Sequence, residues 1–244
     1  MKIIRFDEID STNSFLHGYH EGDDVETVVA VVAVAEYQTA GRGQGTNHWE
    51  SERGKNLTMS VRVAPKGVKA AEQYVLSMCM ALAVKDVLSE HAEGMTVKWP
   101  NDIYWNDKKI SGTLIETTIA GKNVKTCIFG TGINVNQTVF LSDAPNPVSI
   151  KQIVGHEVDR EKLLKKVMRN LEKYLKIVYS GERKQIHDAY MNCLYRKEGV
   201  HKYRDNNGTF EASIERVEDS GHLVLRSTDG RQRRYGFKEV EFVI

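Results

Sequence analysis

A glycine-rich segment with one arginine is the first place where residue types and spacing point to chemistry. It runs from Gln38 to Gly45 as QTAGRGQG and directly follows an apolar run. Glycines let backbone N–H groups approach an anion closely, and the guanidinium of Arg42 can hold a phosphate or carboxylate through two parallel hydrogen bonds. The segment matches neither G-x-G-x-x-G nor the P-loop pattern. It therefore predicts an oxyanion-binding loop, with an ordinary turn as the alternative for this segment alone.

The next candidate is Lys98-Trp-Pro-Asn-Asp102, which combines a lysine, an aromatic ring and two polar side chains. Pro100 favours an extended conformation for the residue before it and cannot donate to a central sheet ladder. The motif is therefore expected at the end or the edge of a strand. Binding residues are often found where a strand gives way to a loop, so Asn101 and Asp102 are candidates for ligand contacts.

A lysine follows this motif at a spacing that could serve the same ligand. In the segment 108–112, KKISG, either Lys108 or Lys109 could project toward a ligand, and Gly112 would let that ligand pass close to the backbone. The strand that follows contains Glu116. For this segment alone, a lysine-bearing hairpin loop stays open as the simpler interpretation.

Two more clusters place small or polar residues beside predicted elements. Gly130-Thr-Gly-Ile-Asn134 follows a buried run, as the first glycine-rich segment does. Asp10-Ser-Thr-Asn-Ser14 predicts a helix cap, because these side chains accept hydrogen bonds from the N–H groups at a helix start. Trp49 lies close to the glycine-rich segment and could stack on a nucleobase, although a core position is the default for a tryptophan.

Alternating strands and helices are predicted to position these clusters. Apolar, β-branched runs predict strands, and residues 120–123 are typical of a hairpin turn between two of them. Apolar residues at helical spacing predict two helices, the second with Asp159 as its N-cap. The predicted strands cover 28–35, 57–63, 113–119 and 124–129. The predicted helices cover 70–91 and the residues from the N-cap Asp159 to the one before Gly181.

From about residue 196 the pattern changes to short strands between turn clusters. The clusters at 205–208, 219–221 and 228–230 each end in a glycine, which permits positive φ in a tight turn. This pattern predicts a compact β-barrel module, for which an SH3-like barrel is one candidate. The run RQRR at 231–234 could bind a polyanion or form a solvated edge that discourages pairing between sheets.

The composition excludes several classes of protein. The 244 residues contain 34 Lys and Arg against 33 Asp and Glu, a net charge of +1. This balance argues against a nucleic-acid coat or a surface for anionic membranes, which need excess cations. The longest apolar run, residues 28–35, ends before Glu36. It is far shorter than the roughly 20 residues of a membrane-spanning helix.

The N-terminal residues and the cysteine spacing indicate the cellular compartment and argue against disulfides and metal sites. Acidic residues among the first ten positions argue against a secretory signal, so we expect a cytoplasmic protein. Cys79, Cys127 and Cys193 are odd in number and widely spaced. That arrangement argues against a disulfide framework or a zinc site, so no metal site built by the chain is expected.

Taken together and in this order, the clusters resemble the catalytic domain of biotin protein ligases. The family pattern is Ser-Thr-Asn, Gln-x-x-Gly-Arg-Gly, Lys-Trp-Pro-Asn-Asp, Lys-hydrophobic-x-Gly and Gly-x-Gly-Ile-Asn, and the chain reproduces it with similar spacing. The resemblance implies an α/β (α+β) fold, in which a mixed β-sheet flanked by helices, like that of class II aminoacyl-tRNA synthetases, occupies residues 1–190. A small SH3-like β-barrel would occupy residues 191–244. Only ten residues precede Ser11, so the resemblance is to the short monofunctional group without a DNA-binding domain.

The resemblance also implies two overlapping sets of binding residues. Arg42 and Lys109 would hold the biotin carboxylate and the α-phosphate of ATP, and would therefore be the catalytic residues. Many members carry a second arginine where this chain has Gln44. How tightly this chain would retain the adenylate therefore stays open. The implied biotin-binding residues are Ser11, Thr12, Asn13, Gln38, Gly41, Arg42, Gly43, Lys109 and Gly112. The implied ATP-binding or adenylate-binding residues are Arg42, Gln44, Trp49, Lys98, Asn101, Asp102, Lys109 and Asn134.

The implied activity is that of a biotin–[acetyl-CoA-carboxylase] ligase. Biotin would be activated by ATP and Mg²⁺ to biotinyl-5′-AMP, with release of pyrophosphate, and then transferred to a lysine of a biotin carboxyl carrier protein. Joining a carboxylate to a phosphate brings two anions together, so such a site needs cations and N–H donors more than a side-chain nucleophile. Arg42, Lys109 and the glycine-rich segment provide such groups.

Several alternatives stay open. Lipoate or octanoate ligation on a related fold, and a non-catalytic biotin or nucleotide sensor, are the other candidate functions. Nucleic-acid binding through the arginine-containing hairpin is disfavoured by the balanced charge, and no DNA or membrane partner is expected. The acceptor carboxylase subunit is also open, as is the choice between a monomer and a homodimer, because a strand at 28–35 could pair between subunits or lie inside the sheet.

Overall fold

The computed structural model describes residues 1–19, 28–29, 31–45, 47–142 and 146–244. In that part of the chain, strands mix with helices up to residue 192, and strands alone follow. The strands are β1 (Lys2–Ile9), β2 (Val31–Gln38), β3 (Leu57–Val63), β4 (Met95–Lys98), β5 (Asp102–Trp105), β6 (Lys108–Ala120), β7 (Asn123–Ile133), β8 (His201–Asp205), β9 (Gly208–Val217), β10 (Leu223–Ser227), β11 (Gln232–Tyr235) and β12 (Glu241–Phe242). The α-helices are α1 (Thr12–His17), α2 (Tyr74–Ser89), α3 (Ile150–Val154), α4 (Arg160–Tyr179) and α5 (Arg183–Asn192), and a short 3₁₀ helix covers Ala70–Glu72.

The larger sheet is mixed. Within the described residues it has seven strands in the order β1-β2-β3-β7-β6-β5-β4. β1 and β2 pair in parallel, whereas the other neighbours are antiparallel. A parallel pair needs a crossover connection, and α1 belongs to the one between β1 and β2. This arrangement confirms the predicted fold class, a mixed sheet flanked by helices.

Both faces of the centre of this sheet are covered, which explains its uninterrupted apolar runs. Successive side chains of a strand point to opposite faces. In β2, Val31 and Ala33 pack with Leu16 of α1, and Val32 and Val34 belong to the main core. All residues of β3 are buried as well. A strand that is covered on both faces does not need to alternate apolar with polar residues.

Two long helices form the layer over the main core. α2 lies between the sheet and α4, so its side chains are buried almost all round. α4 is amphipathic, with one buried stripe and a lysine-rich exposed face. Asp159 is its N-cap, as predicted, because its carboxylate accepts hydrogen bonds from the N–H groups of Glu161 and Lys162. In the described residues no helix is both long and apolar enough to cross a membrane.

Other predicted elements are confirmed with shifted ends. β3 and the hairpin turn of 120–123 lie where the sequence predicts them, although β6 and β7 extend further. The helix predicted over 70–91 begins as the 3₁₀ helix and continues as α2. The strand predicted over 28–35 starts only at Val31, and Ala30 lies outside the described residues. It continues through Tyr37 and Gln38 because both still pair with β1.

The two edges of the larger sheet are β1 and β4. β2 is an interior strand, so the idea that the strand at 28–35 pairs between subunits is wrong. The edge position of β4 confirms the prediction made for the proline-containing motif that follows it. Part of this edge is covered by the chain itself, since the N–H of Val97 donates to the carbonyl of Cys193 and the N–H of Tyr195 donates to the carbonyl of Val97, both at 2.8 Å.

The last five strands form a second sheet, antiparallel throughout, in the order β11-β10-β9-β8-β12. This sheet is consistent with the predicted SH3-like module. The arginine-rich run lies at its edge strand β11 and pairs with acids. Arg231 Nε lies 3.6 Å from Asp229 Oδ2, and Arg234 Nε lies 2.9 Å from Glu218 Oε2. These ion pairs favour the solvated edge over the polyanion site.

The Lys-Trp-Pro motif joins the second sheet to the first. The indole N–H of Trp99 donates to the carbonyl of Gly221 at 3.0 Å, and its ring centroid lies 5.4 Å from that of Phe237. The ammonium of Lys98 lies 5.4 Å from the ring centroid of Phe242. The division that we predict between residues 190 and 191 falls in the last turn of α5, ahead of the second sheet, and stays a prediction.

Replacing Leu171 with Ala tests the packing of α4 on α2. Leu171 is fully buried, so the truncation removes apolar contacts and leaves a cavity. We expect the free energy of unfolding, measured by urea denaturation, to fall by about 2–5 kcal/mol. The control is Lys165→Ala on the exposed face of α4, which should change it by less than about 0.5 kcal/mol. Equal effects of the two substitutions would contradict this packing.

Candidate active site

A cavity of about 640 Å³ lies where the first glycine-rich segment meets the larger sheet. Its wall combines the start of α1, the loop after β2, β3, the turn between β4 and β5, β6 and β7. The predicted site residues that line it are Ser11, Thr12, Asn13, Gln38, Arg42, Gly43, Gln44, Trp49, Lys98, Asn101, Asp102, Lys109, Gly112 and Asn134. Gly41 is buried behind the loop instead, where its carbonyl accepts a hydrogen bond from the N–H of Trp49 at 3.1 Å. The structure thus brings these residues together, whereas their binding roles stay predictions.

The first wall of the cavity is the capped start of α1. Ser11 is the N-cap, and its hydroxyl oxygen accepts a hydrogen bond from the N–H of Ser14 at 3.4 Å. This confirms the helix cap that the sequence predicts. Thr12 and Asn13 occupy the first turn and, like Ser11, are almost fully buried. The same three residues therefore start a helix and line the cavity.

A chain of hydrogen bonds fixes the polar groups of this wall. The N–H of Thr12 donates to Oε1 of Gln38 at 2.8 Å, and the Thr12 and Ser60 hydroxyl oxygens are 2.7 Å apart. The Ser60 hydroxyl donates to Oδ1 of Asn13 at 2.5 Å, and Nδ2 of Asn13 donates to Glu116 at 2.8 Å. The Thr12 hydroxyl also donates to Oε1 of Gln38 at 2.9 Å. Because a hydroxyl carries a single proton and Ser60 uses its own on Asn13, Gln38 and Ser60 compete for the proton of Thr12.

Arg42 is held at the cavity by Glu116. One guanidinium nitrogen of Arg42 lies 2.9 Å from Oε2 of Glu116, which also contacts His17 at 3.1 Å. Burial on its own would raise the pKa of Glu116. The hydrogen bonds from Asn13 and His17 and the charge of Arg42 outweigh burial, so the pKa of Glu116 lies below its ordinary value. Glu116 is therefore an ionised partner for Arg42 at neutral pH.

The glycine-rich segment folds as a tight hairpin. The N–H of Gly43 donates to the carbonyl of Asn47 at 2.7 Å, and Arg42 and His48 form an antiparallel bridge. The sequence predicts that glycine N–H groups of this segment face an anion, but the Gly43 N–H is used within the loop. Among the described residues of the hairpin, Arg42 supplies the positive charge on the cavity wall.

Lys109 is the second cation on the wall, as the sequence predicts. Its ammonium donates a hydrogen bond of 2.6 Å to Oδ2 of Asp102. A Cβ atom at Gly112 would lie 3.1 Å from Cε and Nζ of Lys109 and 3.2 Å from Oδ1 of Asp102. The space that Gly112 leaves is thus occupied by the Lys109 side chain, whereas the sequence alone suggests a passage for the ligand. Lys108 is exposed and does not line the cavity.

Two glycines of β7 admit side chains from other elements. A Cβ atom at Gly130 would lie 2.2 Å from Oδ1 of Asn13, and one at Gly132 would lie 2.1 Å from Cε2 of Trp49. Residues two apart in a strand share one face, so both glycines open the same face of β7. The indole nitrogen of Trp49 is buried and has no hydrogen-bond partner among the described residues. The Gly-x-Gly pattern therefore serves close packing in this structure.

Lys98 lies between the cavity and the second sheet. Its ammonium is 3.2 Å from the hydroxyl of Tyr104 and 4.8 Å from the centroid of that ring. Burial lowers the pKa of Lys98; the nearby carboxylate of Asp102 opposes this shift, whereas Lys109 adds to it. The aromatic rings of Tyr104 and Phe242 thus hold the ammonium beside the cavity.

Asn101 and Asn134 line the cavity but also make protein contacts. Nδ2 of Asn101 donates to the hydroxyl of Ser77 at 3.1 Å. Nδ2 of Asn134 donates to the carbonyl of Val148 at 3.2 Å. Each side chain keeps a carbonyl oxygen that these bonds do not use. Each amide nitrogen also keeps a second N–H, so a ligand contact from either residue can use a donor or an acceptor.

Sequence reasoning missed the polar residues that lie inside strands. Thr58 and Ser60 of β3, Thr113 of β6 and Thr131 of β7 line the cavity. Thr58, Ser60 and Thr113 belong to none of the motifs, and Thr131 lies within the Gly-x-Gly motif only at its unspecified position. The alternation of side chains along β3 predicts that Thr58 and Ser60 share one face of the strand. It does not predict that the cavity lies on that face.

No group of three or more His, Cys, Asp or Glu side chains in the described part of the chain is arranged to hold a metal ion. The cysteines also lie apart from the cavity lining. Cys79 and Cys127 are fully buried, and burial raises the pKa of each thiol above its ordinary value. Neither thiol is suited to act as a nucleophile, because nucleophilic attack requires the thiolate.

The sequence matches known proteins along most of its length. Residues 6–134 match the profile described as the biotin/lipoate A/B protein ligase family. The chain is 30% identical over 243 residues to the bifunctional ligase/repressor BirA of Bacillus subtilis, covering 96% of this chain and 72% of that protein. It is 30% identical over 207 residues to the biotin--[acetyl-CoA-carboxylase] ligase of Paracoccus denitrificans, covering 82% of this chain and 85% of that protein.

Solved structures share the fold. The biotin protein ligase from Aquifex aeolicus in complex with biotin and ATP is similar with a TM-score of 0.80 and 25% identity, covering 99% of both chains. The biotin protein ligase from Leishmania major in complex with biotinyl-5-AMP has a TM-score of 0.65 and 24% identity, covering 96% of this chain and 98% of that chain. Because the first likeness covers 99% of this chain, it extends over both sheets.

Replacing Gly132 with Ala tests the close contact between β7 and Trp49. The added methyl group would overlap the indole ring, so the ring must move toward solvent. We expect the free energy of unfolding to fall by about 1–3 kcal/mol and tryptophan emission to shift to longer wavelength. Gly18→Ala is the control, because Gly18 has negative φ and its nearest neighbour would lie 3.8 Å from the new Cβ atom. Unchanged fluorescence in Gly132→Ala would contradict the contact.

Proposed function

The chain belongs to the biotin/lipoate A/B protein ligase family, and on this basis we propose that it is an ATP-dependent biotin protein ligase. It activates biotin to biotinyl-5′-AMP with release of pyrophosphate, and then transfers biotin to a lysine of a biotin carboxyl carrier protein. The observation that carries the proposal is the composition of the cavity wall. It joins neutral hydroxyl and amide groups to cations, among them Arg42 and Lys109.

The first step joins two anions. The carboxylate oxygen of biotin attacks the α-phosphorus of ATP, and the bond from that phosphorus to pyrophosphate breaks. Cations that are already in place reduce the repulsion between the reactants and stabilise the charge of the transition state. We assign this role to Arg42 and Lys109. Their bonds to Glu116 and Asp102 each use a single donor group, so both cations keep further N–H groups for substrate oxygens.

The neutral wall suits the ureido ring of biotin, which has one carbonyl acceptor and two N–H donors. Oε1 of Gln38 accepts from Thr12, which leaves its Nε2 as a donor for the ligand. Thr12 and Asn13 are held in place by Ser60 and Glu116. The other residues that we assign to the biotin site are Ser11, Gly43 and Gly112 on the cavity wall and Gly41, which acts through the shape of the loop.

The nucleotide is assigned to the part of the wall around Trp49. The buried indole N–H of Trp49 lacks a partner in the described residues, and a bound nucleotide offers acceptors. An aromatic ring also offers a surface on which a base can stack. The other residues that we assign to ATP or to the adenylate are Gln44, Lys98, Asn101, Asp102 and Asn134, together with Arg42 and Lys109.

The second step needs no nucleophile from the enzyme. The amine of the acceptor lysine attacks the carbonyl carbon of the mixed anhydride, the bond from that carbon to the phosphate oxygen breaks, and AMP leaves with the electron pair. The nitrogen releases one proton to solvent as the amide forms. Our assignment of the acceptor as a carboxyl carrier protein follows the name of the Paracoccus denitrificans relative, a ligase for acetyl-CoA carboxylase. The enzyme's contribution is to hold the anhydride and to stabilise the departing phosphate by its two cations.

Magnesium is assigned to the ATP substrate rather than to a cage formed by the chain. Mg²⁺ keeps several of its waters and is often bound through substrate phosphates and one or two carboxylates. Asp102 fits this requirement, because it lines the cavity and only its Oδ2 atom bonds Lys109. Removal of divalent ions with EDTA is accordingly expected to stop adenylation.

The proposal extends to the cellular setting of the reaction. We assign the enzyme to the cytoplasm, where carboxylases and ATP are found. We assign no DNA partner, because the arginine run of the second sheet is paired with acids and the net charge is +1. A homodimer stays open, although β2 cannot form it.

The experiment that tests the function is to mix the protein with biotin and Mg²⁺-ATP and to follow pyrophosphate release and the mass of the adenylate. A carrier domain with its target lysine is then added. The expected result is the biotinyl-5′-AMP mass, followed by a biotin-sized mass gain of the carrier. Biotin binding without adenylate would indicate a sensor. Activity with lipoate or octanoate in place of biotin would indicate the other branch of the family.

Removing either cation should abolish most of the first step. Arg42→Ala and Lys109→Ala each delete a charge that faces the reacting anions, so we expect the rate of adenylation to fall about a hundredfold to a thousandfold. Pyrophosphate release measures this rate. Lys108→Ala and Arg53→Ala are the controls, because Lys108 points away from the cavity and Arg53 pairs with Asp7 outside it. Near-normal adenylation in either test variant would refute its assignment.

Gln44→Arg tests retention of the intermediate. Gln44 lines the cavity, so an arginine at this position adds a cation beside the phosphate of the adenylate. We expect biotinyl-5′-AMP to escape more slowly into solvent, measured by rapid separation of free from bound adenylate. Gln44→Glu adds the opposite charge and should speed the escape. Equal release from both variants would show that this position does not govern retention.

A further inference from the structure

Two segments of the cavity wall that lie far apart in sequence are joined through Glu50. Oε1 of Glu50 accepts a hydrogen bond from the N–H of Leu141 at 2.8 Å, and Oε2 accepts one from the N–H of Ser142 at 2.7 Å. Nε2 of Gln137 adds a third hydrogen bond to Oε1 at 3.2 Å. A single carboxylate thus fixes the backbone of the segment 137–142 against the loop that follows Trp49.

Gln137 fixes the same two segments from the other side. It is almost fully buried, and its Oε1 accepts hydrogen bonds from the N–H of Glu52 at 2.9 Å and from Nδ2 of Asn56 at 2.6 Å. Each segment therefore sends one side chain to the backbone of the other. The pair Glu50 and Gln137 is a reciprocal connection between two parts of the wall.

Hydrogen bonds rather than apolar packing hold the segment 137–142. The side chains of Val139 and Leu141 are 63% and 87% exposed, so they contribute little burial. Phe140 is half-buried and lines the cavity together with Ser142 and Glu50. Since the neighbours of Phe140 are not packed into the core, its place on the wall depends on backbone hydrogen bonds. Glu50 holds the residues that follow Phe140 in this segment, and the amides of Gln137 and Gln152 hold the carbonyls of Val139 at 2.8 Å and Thr138 at 3.0 Å before it.

Glu50 makes these bonds as a carboxylate. Burial alone would raise the pKa of Glu50, but the hydrogen bonds from Ser142, Leu141 and Gln137 outweigh it and hold the pKa below its ordinary value. A carboxylate can accept on both oxygens, whereas the amide of a glutamine can accept on only one. Glu50→Gln therefore removes one of the two backbone bonds and the charge that strengthens both.

We infer that Glu50 is a positioning residue for the nucleotide. It holds Phe140 and Ser142 in the wall beside Trp49, so that the base and ribose of ATP meet a preformed surface. The inference rests on the proposed function, which assigns the nucleotide to the region around Trp49. Glu50 does not itself touch the reacting atoms in this proposal; it acts through the segment 137–142.

Steady-state adenylation by Glu50→Gln tests the inference. Loss of a charge-assisted bond to the segment is expected to raise KM for ATP by about tenfold or more, with KM for biotin within about twofold of the wild-type value. Glu52→Gln is the matched control, because Glu52 is an exposed carboxylate two residues away that does not line the cavity. It should leave both KM values unchanged.

A second variant removes the donor of the hydrogen bond between Leu141 and Glu50. Leu141→Pro removes the N–H that Glu50 accepts, and the exposed side chain costs no packing. We expect it to raise KM for ATP as Glu50→Gln does, and the double variant should be no worse than the more affected single one. Leu141→Ala keeps the N–H and is the control. This comparison keeps the inference testable if Glu50→Gln fails to fold.

The outcomes separate this inference from the proposed function. Wild-type adenylation with an unchanged KM for ATP in Glu50→Gln and in Leu141→Pro would overturn the role of Glu50 and leave the ligase function standing. An equal rise of KM for biotin and for ATP would also overturn it, because that result indicates a general structural role. A wild-type protein that forms no adenylate and binds no ATP would overturn both.

Discussion

The site depends on keeping the cations Arg42 and Lys109 at one cavity in fixed directions. Unpaired cations in a partly enclosed space repel each other and lose hydration. Arg42 is instead paired with Glu116 at 2.9 Å, and Lys109 is paired with Asp102 at 2.6 Å. Both pairs are partly exposed, so they contribute little to the stability of the fold. The pairs matter because they orient the two cations. Strands β5 and β6 determine this orientation, since they carry three of the four side chains.

The neighbouring strand supplies the surface on which the site is assembled. β7 presents Gly130 and Gly132 on one face, and the missing Cβ atoms leave room for Asn13 and Trp49. Asn13 comes from a helix start and Trp49 from a loop, so the sheet brings together groups that no single element could carry. A site supported by long paired strands keeps its geometry more closely than one built from loops alone. This arrangement explains why small residues, and not only reactive ones, belong to the motifs.

Residues with distinctive local chemistry could be predicted from the sequence, whereas those that act through the fold could not. Arg42 beside glycines and the cap at Ser11 can be recognised from their immediate neighbours. Glu116 could not be recognised, because its partner Arg42 is 74 positions away. The same holds for Trp99, whose indole bonds the carbonyl of a residue 122 positions away. Strand ends were also shifted, since the length of β2 depends on its pairing with β1 and not on its own hydrophobicity.

The Lys-Trp-Pro motif belongs both to the cavity wall and to the seam between the two sheets. Lys98 lines the cavity and lies over Phe242, while the adjacent Trp99 contacts Phe237 and bonds the second sheet. A ligand couples to the contact between the sheets only if it binds one arrangement of this motif more tightly than another. In that case the coupling is reciprocal: the ligand stabilises the contact between the sheets by the same free energy by which that contact favours the ligand. The second sheet would then respond to the cavity through Lys98 and Trp99, without touching the ligand.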